Sequence, residues 1–396
     1  MGARALTYGS VFAALVFVLG CGQGGGGGGG DGGGSVMDGS VVPDSGEDFP
    51  CVPSSLNVEF PANGCDDDGD GMTDEAPESC DGDVAADGDA NAFARAIGLC
   101  QAADDTHWGL VSAVFTRSHT EELPTDDLKH SILTKYGAVL TPREGTKLGV
   151  LGTAAAEESA DEPFFTQDNL LGAGKGQPGS VPVPCKVGDA GCGETVVTHN
   201  NVIAIKLTIK APANARGVSA DFAFYSAEWP LFVGSEFNDG VFLFIEGESG
   251  SGNFAFDSQD NVVDVNNGFF DRCTPGVKVG CRGTLQTEPS VCAAGESELA
   301  GTGFANFDPP YSTTDNMNPF DLLDPDFPCY GMPEIRAAAG GSTGWLASQT
   351  PIVPGETFTL KVFLWNAADA KLQSIALLDN VKWVEGEAET VTVPIL

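Results

Sequence analysis

The chain has 396 residues, of which 42% are hydrophobic and 24 are Phe, so a sizeable core can be buried in one large domain or two. Its formal net charge is -37. That excludes nucleic acid as a partner, since phosphates are held by Lys and Arg; it excludes charge-driven docking on anionic lipid and favours solubility and divalent cations.

The first residues, MGARALTYGSVFAALVFVLGC, read as an export signal over 1–20. Arg4 supplies the positive end, and the apolar run from Val11 to Leu19 is too short to cross a bilayer. The run ends in Val18-Leu19-Gly20-Cys21, which resembles a bacterial lipobox. The resemblance implies cleavage before Cys21, lipid on that residue, and a firm hold on a membrane at the cell surface or outer membrane. Residues 21–48 contain GQGGGGGGGDGGGSVMDGS, with no apolar periodicity and maximal backbone entropy. They predict a disordered, lipid-anchored linker.

Residues 49–90 form an acidic, Cys-containing module with too little apolar content to fold without disulfides or metal. Its centre, NGCDDDGDGMTDEAPESC, crowds Asp66, Asp67, Asp68 and Asp70 together. Asp66, Asp68 and Asp70 are two apart and Gly71 follows, a spacing that turns alternate carboxylates inward around calcium. Counting from Asp66, Met72 offers a backbone carbonyl at the seventh position and Asp74 stands at the ninth. Pro77 occupies the twelfth, where an EF-hand has an acid, so Glu75 or Glu78 must substitute. The loop is more similar to the helix-free aspartate repeats of thrombospondin type 3, and to a metal-binding motif of secreted myxobacterial proteins. The alternative is a solvated acidic linker.

Eleven cysteines is an odd number for an exported chain. Assigning Cys21 to lipid leaves an even set for disulfides in an oxidising compartment. CKVGDAGC (Cys185, Cys192) and CTPGVKVGC (Cys273, Cys281) look like local pairs, each with glycine to turn the chain back, although spacing does not fix the pairing. No Cys-x-x-Cys occurs and His107, His119, His130 and His199 lie far apart, which argues against a thiolate metal site.

From residue 91 the pattern changes. Phe93, Ala94, Ile97 and Cys100 follow helical spacing, with Asp89 placed to cap a short helix. In NVIAIKLTIKAP, Ile203, Ile205, Leu207 and Ile209 alternate with polar or small residues, as in a half-buried strand. GVSADFAFYS repeats the alternation; GVFLFIEG is apolar on both faces; GETFTLKVFLWNAAD and LQSIALLDNVKWVEG add two more strands. Many strands without alternating helices predict a mainly β, antiparallel β-sandwich or jelly-roll-like domain over 91–396.

Two motif matches fail on context. GKGQPG carries Pro178 where a phosphate-binding turn needs a helix N-terminus. GGSTG around Ser342 lacks the strand-to-helix setting of a nucleophile elbow and reads as a glycine-rich surface loop.

FAFYSAEWPLFVGSEFNDGVFLFIEG, residues 222–247, resembles the choice-of-anchor L family of bacterial surface domains. Phe224, Ser226, Glu228, Trp229, Pro230, Val233, Ser235, Phe237, Asn238 and Asp239 carry the likeness, with LAGTGF, GSTGWL and SIALLDNVKW farther on. The resemblance covers roughly 90–385 and implies an exported, tethered β-domain more than any chemistry. The last of these segments puts Asp379 in an apolar strand, as in jelly-roll carbohydrate-binding modules whose acid there holds calcium. That suggests a second calcium site from Glu228, Asp239 and Asp379, against local hydrogen bonding as the simpler account. The combined expectation is a lipid-anchored, calcium-stabilised, non-catalytic sandwich that binds extracellular polysaccharide or a surface protein. The alternatives are a hydrolase on a jelly-roll scaffold, such as a glycoside hydrolase, and a purely structural envelope protein.

Overall fold

The computed structural model describes residues 51–77, 79–125, 129–154, 156, 177–276, 279–280, 289–304, 340–370 and 372–395. The expected signal peptide, Cys21 and the glycine-rich linker lie outside the described residues, as do Cys281 and Cys329.

The alternating run at 203–210 is the inner half of a long strand, β5 (Val196–Lys210). It lies in a sheet whose order is β1 (Gly109–Thr116), β5, β12 (Thr357–Asn366), β7 (Gly240–Gly247) and β8 (Gly250–Asn253). Short strands β4 (Gly179–Pro182) and β9 (Val263–Asp264) pair with β5 and β7. The second sheet runs β10 (Arg272–Cys273), β11 (Gly341–Pro351), β6 (Gly217–Ser226), β13 (Ser374–Val384), β3 (Leu148–Gly152) and β2 (His130–Leu133). A last strand, β14 (Val391–Pro394), pairs with β11, so the segment holding Asp379 is not the final one. Both sheets are antiparallel, and the fold is a β-sandwich.

Between the sheets, Ile203, Ile205, Leu207 and Ile209 meet Phe222 and Phe224 of β6. Removing any of these large side chains from water contributes about 1.5–3 kcal/mol. Each sheet also buries part of its outer face. Ala223 and Tyr225 of β6 join Ile375 and Leu377 of β13 under Tyr136 and Phe304. Phe242 and Phe244 of β7 join Phe363 and Trp365 of β12 beneath Val181 and the 185–192 loop. These outer layers explain why β6 and β7 are apolar on both faces.

Helix α1 (Ala90–Ala96) starts where Asp89 accepts a hydrogen bond from the Ala92 amide at 2.9 Å. Its buried face sets Phe93 edge-on to Phe115 of β1, 5.3 Å between centroids. The helix stops at Ile97, and Gly98 follows with φ of 98°. Cys100 therefore falls beyond the helix, where it bonds Cys80.

Two expectations need correction. GGSTG is not a surface loop: Gly341, Ser342 and Thr343 open strand β11 and are buried. A Cβ on Gly341 would sit 2.8 Å from the Trp229 ring, and Gly344, at φ of 64°, lies in the bulge between Ser342 and Trp345. The glycines admit close neighbours and a bulge; they do not loosen the chain. Cys273 is bonded to Cys292, not to Cys281. Its place in β10, hydrogen-bonded through its amide to the Gly295 carbonyl, brings the 292–295 turn alongside it. Cys185 and Cys192 are bonded to each other, and Cys51 to Cys65.

The acidic segment, expected as a module of its own over 49–90, is fastened to the sandwich along its length. Val58 and Asn214 exchange two hydrogen bonds, 2.9 and 2.8 Å, and Trp108 Nε1 donates to the Asn57 carbonyl at 2.6 Å. Asp81 accepts from the amides of Thr146 and Lys147, both at 2.6 Å. With so little apolar content of its own, the segment takes its order from these crossing bonds and from the Cys80–Cys100 link.

Candidate metal centre

Two acidic trios share Asp68. Asp66, Asp68 and Asp70 each bring one oxygen within 4.8 Å of the others, and so do Glu59, Asp68 and Glu75. Among the described residues these are the groups of three ligand side chains close enough to share an ion.

The backbone makes this crowding possible. Gly69 and Gly71 have φ of 78° and 95°, which bends the chain back on itself. Asp66 accepts from both glycine amides, at 2.9 and 3.1 Å. Asp68 accepts from the Asp70 amide and Asp70 from the Met72 amide, at 3.1 and 2.8 Å. Each amide satisfies part of one carboxylate and leaves its remaining lone pairs for a cation.

Glu59 is the residue that the spacing argument missed. It is buried, and its two oxygens accept the amides of Asp67 (2.8 Å) and Asp74 (2.7 Å), tying both ends of the loop to the segment before it. The one available signal was an acid inside the otherwise apolar stretch Val58-Glu59-Phe60. Asp67 is also buried and does structural work, accepting from the Phe60 amide and from Asn63 Nδ2.

The other expected ligands divide. Glu75 belongs to a trio, and its Oε2 is buried with no hydrogen-bond partner. A backbone hydrogen bond lowers the Glu75 pKa, but desolvation and the charges of Glu59, Asp70 and Asp68 together raise it above its ordinary value. Asp74 belongs to neither trio; it accepts from the Gly64 amide at 2.9 Å. The Met72 side chain is exposed, and its amide serves Asp70. An oxygen-only donor set, several carboxylates and one orphaned buried oxygen fit a hard cation such as calcium.

Glu228, Asp239 and Asp379 do not come together. Asp239 accepts from Ser374 Oγ (2.7 Å), the Ala367 amide (2.8 Å) and Asn366 Nδ2 (2.6 Å). Asp379 lies five residues beyond Ser374 on β13, opposite Asp221, about 17 Å along the strand. There it accepts from the amides of Arg143, Glu144 and Asn380. Its demand for a partner is met by N–H donors; burial still pushes its pKa up to about 7.

Glu228 and Asp239 do face each other, 1% and 0% exposed. Desolvation first, and then the charge of Asp239, raises the pKa of Glu228; desolvation also raises that of Asp239, against its three hydrogen bonds. A neutral acid beside a carboxylate is the chemistry of an acid/base pair, but this one is sealed from solvent and ties the 227–239 loop to the β12–β13 connection.

No two of the four histidines meet in the structure. His107 bonds Asp104, His130 stacks on Phe115, and His199 stacks on Trp365. His119 is buried beside Lys361 and Glu246; desolvation and the Lys361 charge lower its pKa. Comparison with family models, curated proteins and solved structures finds no match to this chain.

Proposed function

We propose that the chain is a calcium-binding, non-catalytic β-sandwich, exported and tethered by lipid on Cys21, that binds a partner at the bacterial surface. The observation that carries the calcium reading is the pair of acidic trios around Asp68, with the orphaned Glu75 oxygen beside them. The four disulfides among the described residues support export, since such bonds persist in oxidising compartments. Bound calcium would neutralise the loop and stiffen its attachment to the sandwich.

The test uses full-length protein with its metal content measured before and after a chelator. Calcium at 100 times its Kd stabilises by about 2.7 kcal/mol, so the chelator should lower the melting temperature by about 5 °C. Unchanged melting, with no calcium found in the untreated protein, removes the proposal.

A further inference from the structure

Away from the acidic loop, the turn after β8 and the turn after β9 flank a hollow of about 260 Å³ that opens to solvent, with Ser258, Gln259, Asn261 and Asn266 exposed around it. Its wall holds one carboxylate (Asp257), one hydroxyl (Ser258), three amides (Gln259, Asn261, Asn266) and one aromatic ring (Phe269). We propose that this cavity binds a neutral saccharide unit; the inference rests on the reading of the chain as a surface binding protein and names the partner's chemistry.

The chemistry of the wall selects the class. Asp257 cannot serve as a metal ligand, because its oxygens already accept from the amides of Gln259, Asn261 and Gly268 and from Asn261 Nδ2. The carboxylate is spent on shaping the turn. No basic side chain lines the cavity, and the chain carries a charge of -37, so phosphates and acidic sugars are repelled.

Several groups remain unused among the described residues. The Gln259 amide makes no side-chain hydrogen bond, and Asn261 keeps its Oδ1 free. Asn266 accepts the Gly234 amide on Oδ1 and keeps its Nδ2 hydrogens. Gln259 thus presents a donor and an acceptor side by side, Asn261 an acceptor and Asn266 a donor, a set that can pair with neighbouring sugar hydroxyls. Phe269 is half-buried against the core, so its ring is held fixed while one part meets the cavity, where it can take the C–H face of a pyranose. The volume lies just under that of drug-sized pockets and suits one sugar ring. The turns are pre-ordered by Asp257 and by the Asn267 bond to the Phe269 amide (2.7 Å), so binding costs little ordering entropy.

The test places the full-length protein, with calcium, on an array of neutral and acidic glycans, beside Gln259→Ala and Phe269→Leu. Neutral glycans should bind and acidic ones should not. Each substitution should weaken binding by about tenfold; Gln259→Ala, at an exposed side chain, should do so with no change in melting temperature. Neutral-glycan binding that both variants leave intact, or its absence in the parent protein, overturns the assignment. Neither substitution touches the acidic loop. Absent glycan binding with calcium binding retained therefore refutes the cavity alone, and the reverse result refutes the metal reading alone.

Discussion

Replacing Glu228 by Gln should stabilise this protein at pH 8 and leave it unchanged at pH 4.5. Glu228 is 1% exposed and faces Asp239, which accepts from Ser374, Ala367 and Asn366 and so carries the charge. Two carboxylates cannot both ionise in such a place, so the folded state holds a proton on Glu228. The unfolded chain gives that proton up near the ordinary value of 4.5. Because the folded pKa is raised, the stabilising proton is fully present at low pH, and its contribution is lost as pH rises above 4.5. At pH 8, about 3.5 pH units higher, keeping it costs about 5 kcal/mol. Gln presents an N–H donor to Asp239 without needing a proton. The gain in melting temperature should be about 5–10 °C at pH 8 and near zero at pH 4.5, read by calorimetry at both values. Asp239→Asn serves as the control. It sets an amide against the Ala367 and Asn366 donors and should cost about 1–3 kcal/mol, most visibly at pH 4.5, because at pH 8 it also removes a carboxylate whose pKa burial raises. If Glu228→Gln destabilises equally at pH 4.5 and pH 8, Glu228 is ionised in the folded protein and the shared-proton argument is wrong.

In calcium titrations followed by melting, Asp68→Asn should abolish the response, since Asp68 belongs to both trios, whereas Asp70→Asn should only weaken it; equal effects would mean that the two trios do not act together. Peptide mapping without reductant should recover Cys273 joined to Cys292, and Cys281→Ser should leave that link intact. Asp89→Ala removes the bond to the Ala92 amide and should cost about 1 kcal/mol in a denaturant titration. Phe222→Ala, in the centre of the inter-sheet core, should cost about 3–5 kcal/mol in the same assay.

Much of the framework could be read because burial leaves a periodic trace. The alternation at Ile203–Ile209 set the inward face of β5, and the unbroken apolar run Val241–Ile245 marked a strand covered on both sides. Asp89 was legible because a helix start has orphan amides and few residues serve them. What escaped depended on contacts between distant segments. Ser342 and its glycines have the composition of a loop, yet they lie in β11 because Trp229 and Phe270 press on the backbone there. Cys273 looked nearest to Cys281 along the chain, but strand β10 delivers it to the 292–295 turn. Glu59 lies outside the aspartate spacing, and only the folded loop brings it beside Asp68 and Glu75. Asp379 carried the right residue type in an apolar strand, but antiparallel pairing set it opposite Asp221 and far from Asp239.

A chain with this excess of acid must keep its carboxylates from repelling one another, and two solutions occur in different places. Inside the sandwich, Asp239 and Asp379 are surrounded by N–H and O–H donors, and Glu228 keeps its proton. Those groups answer to pH. In the loop, Asp66, Asp68 and Asp70 bring carboxylate oxygens within 4.8 Å of one another, a crowding that a cation would relieve. Under the proposed calcium reading, that group would answer to metal. The two responses should therefore be separable in one experiment: chelator should lower stability by the same amount at pH 6 and pH 8 in the parent protein and in Glu228→Gln alike. Sites with no shared partners add. A chelator effect that changes with the Glu228 substitution would show that the loop and the buried pair are coupled through the sandwich, and the division drawn here would fail.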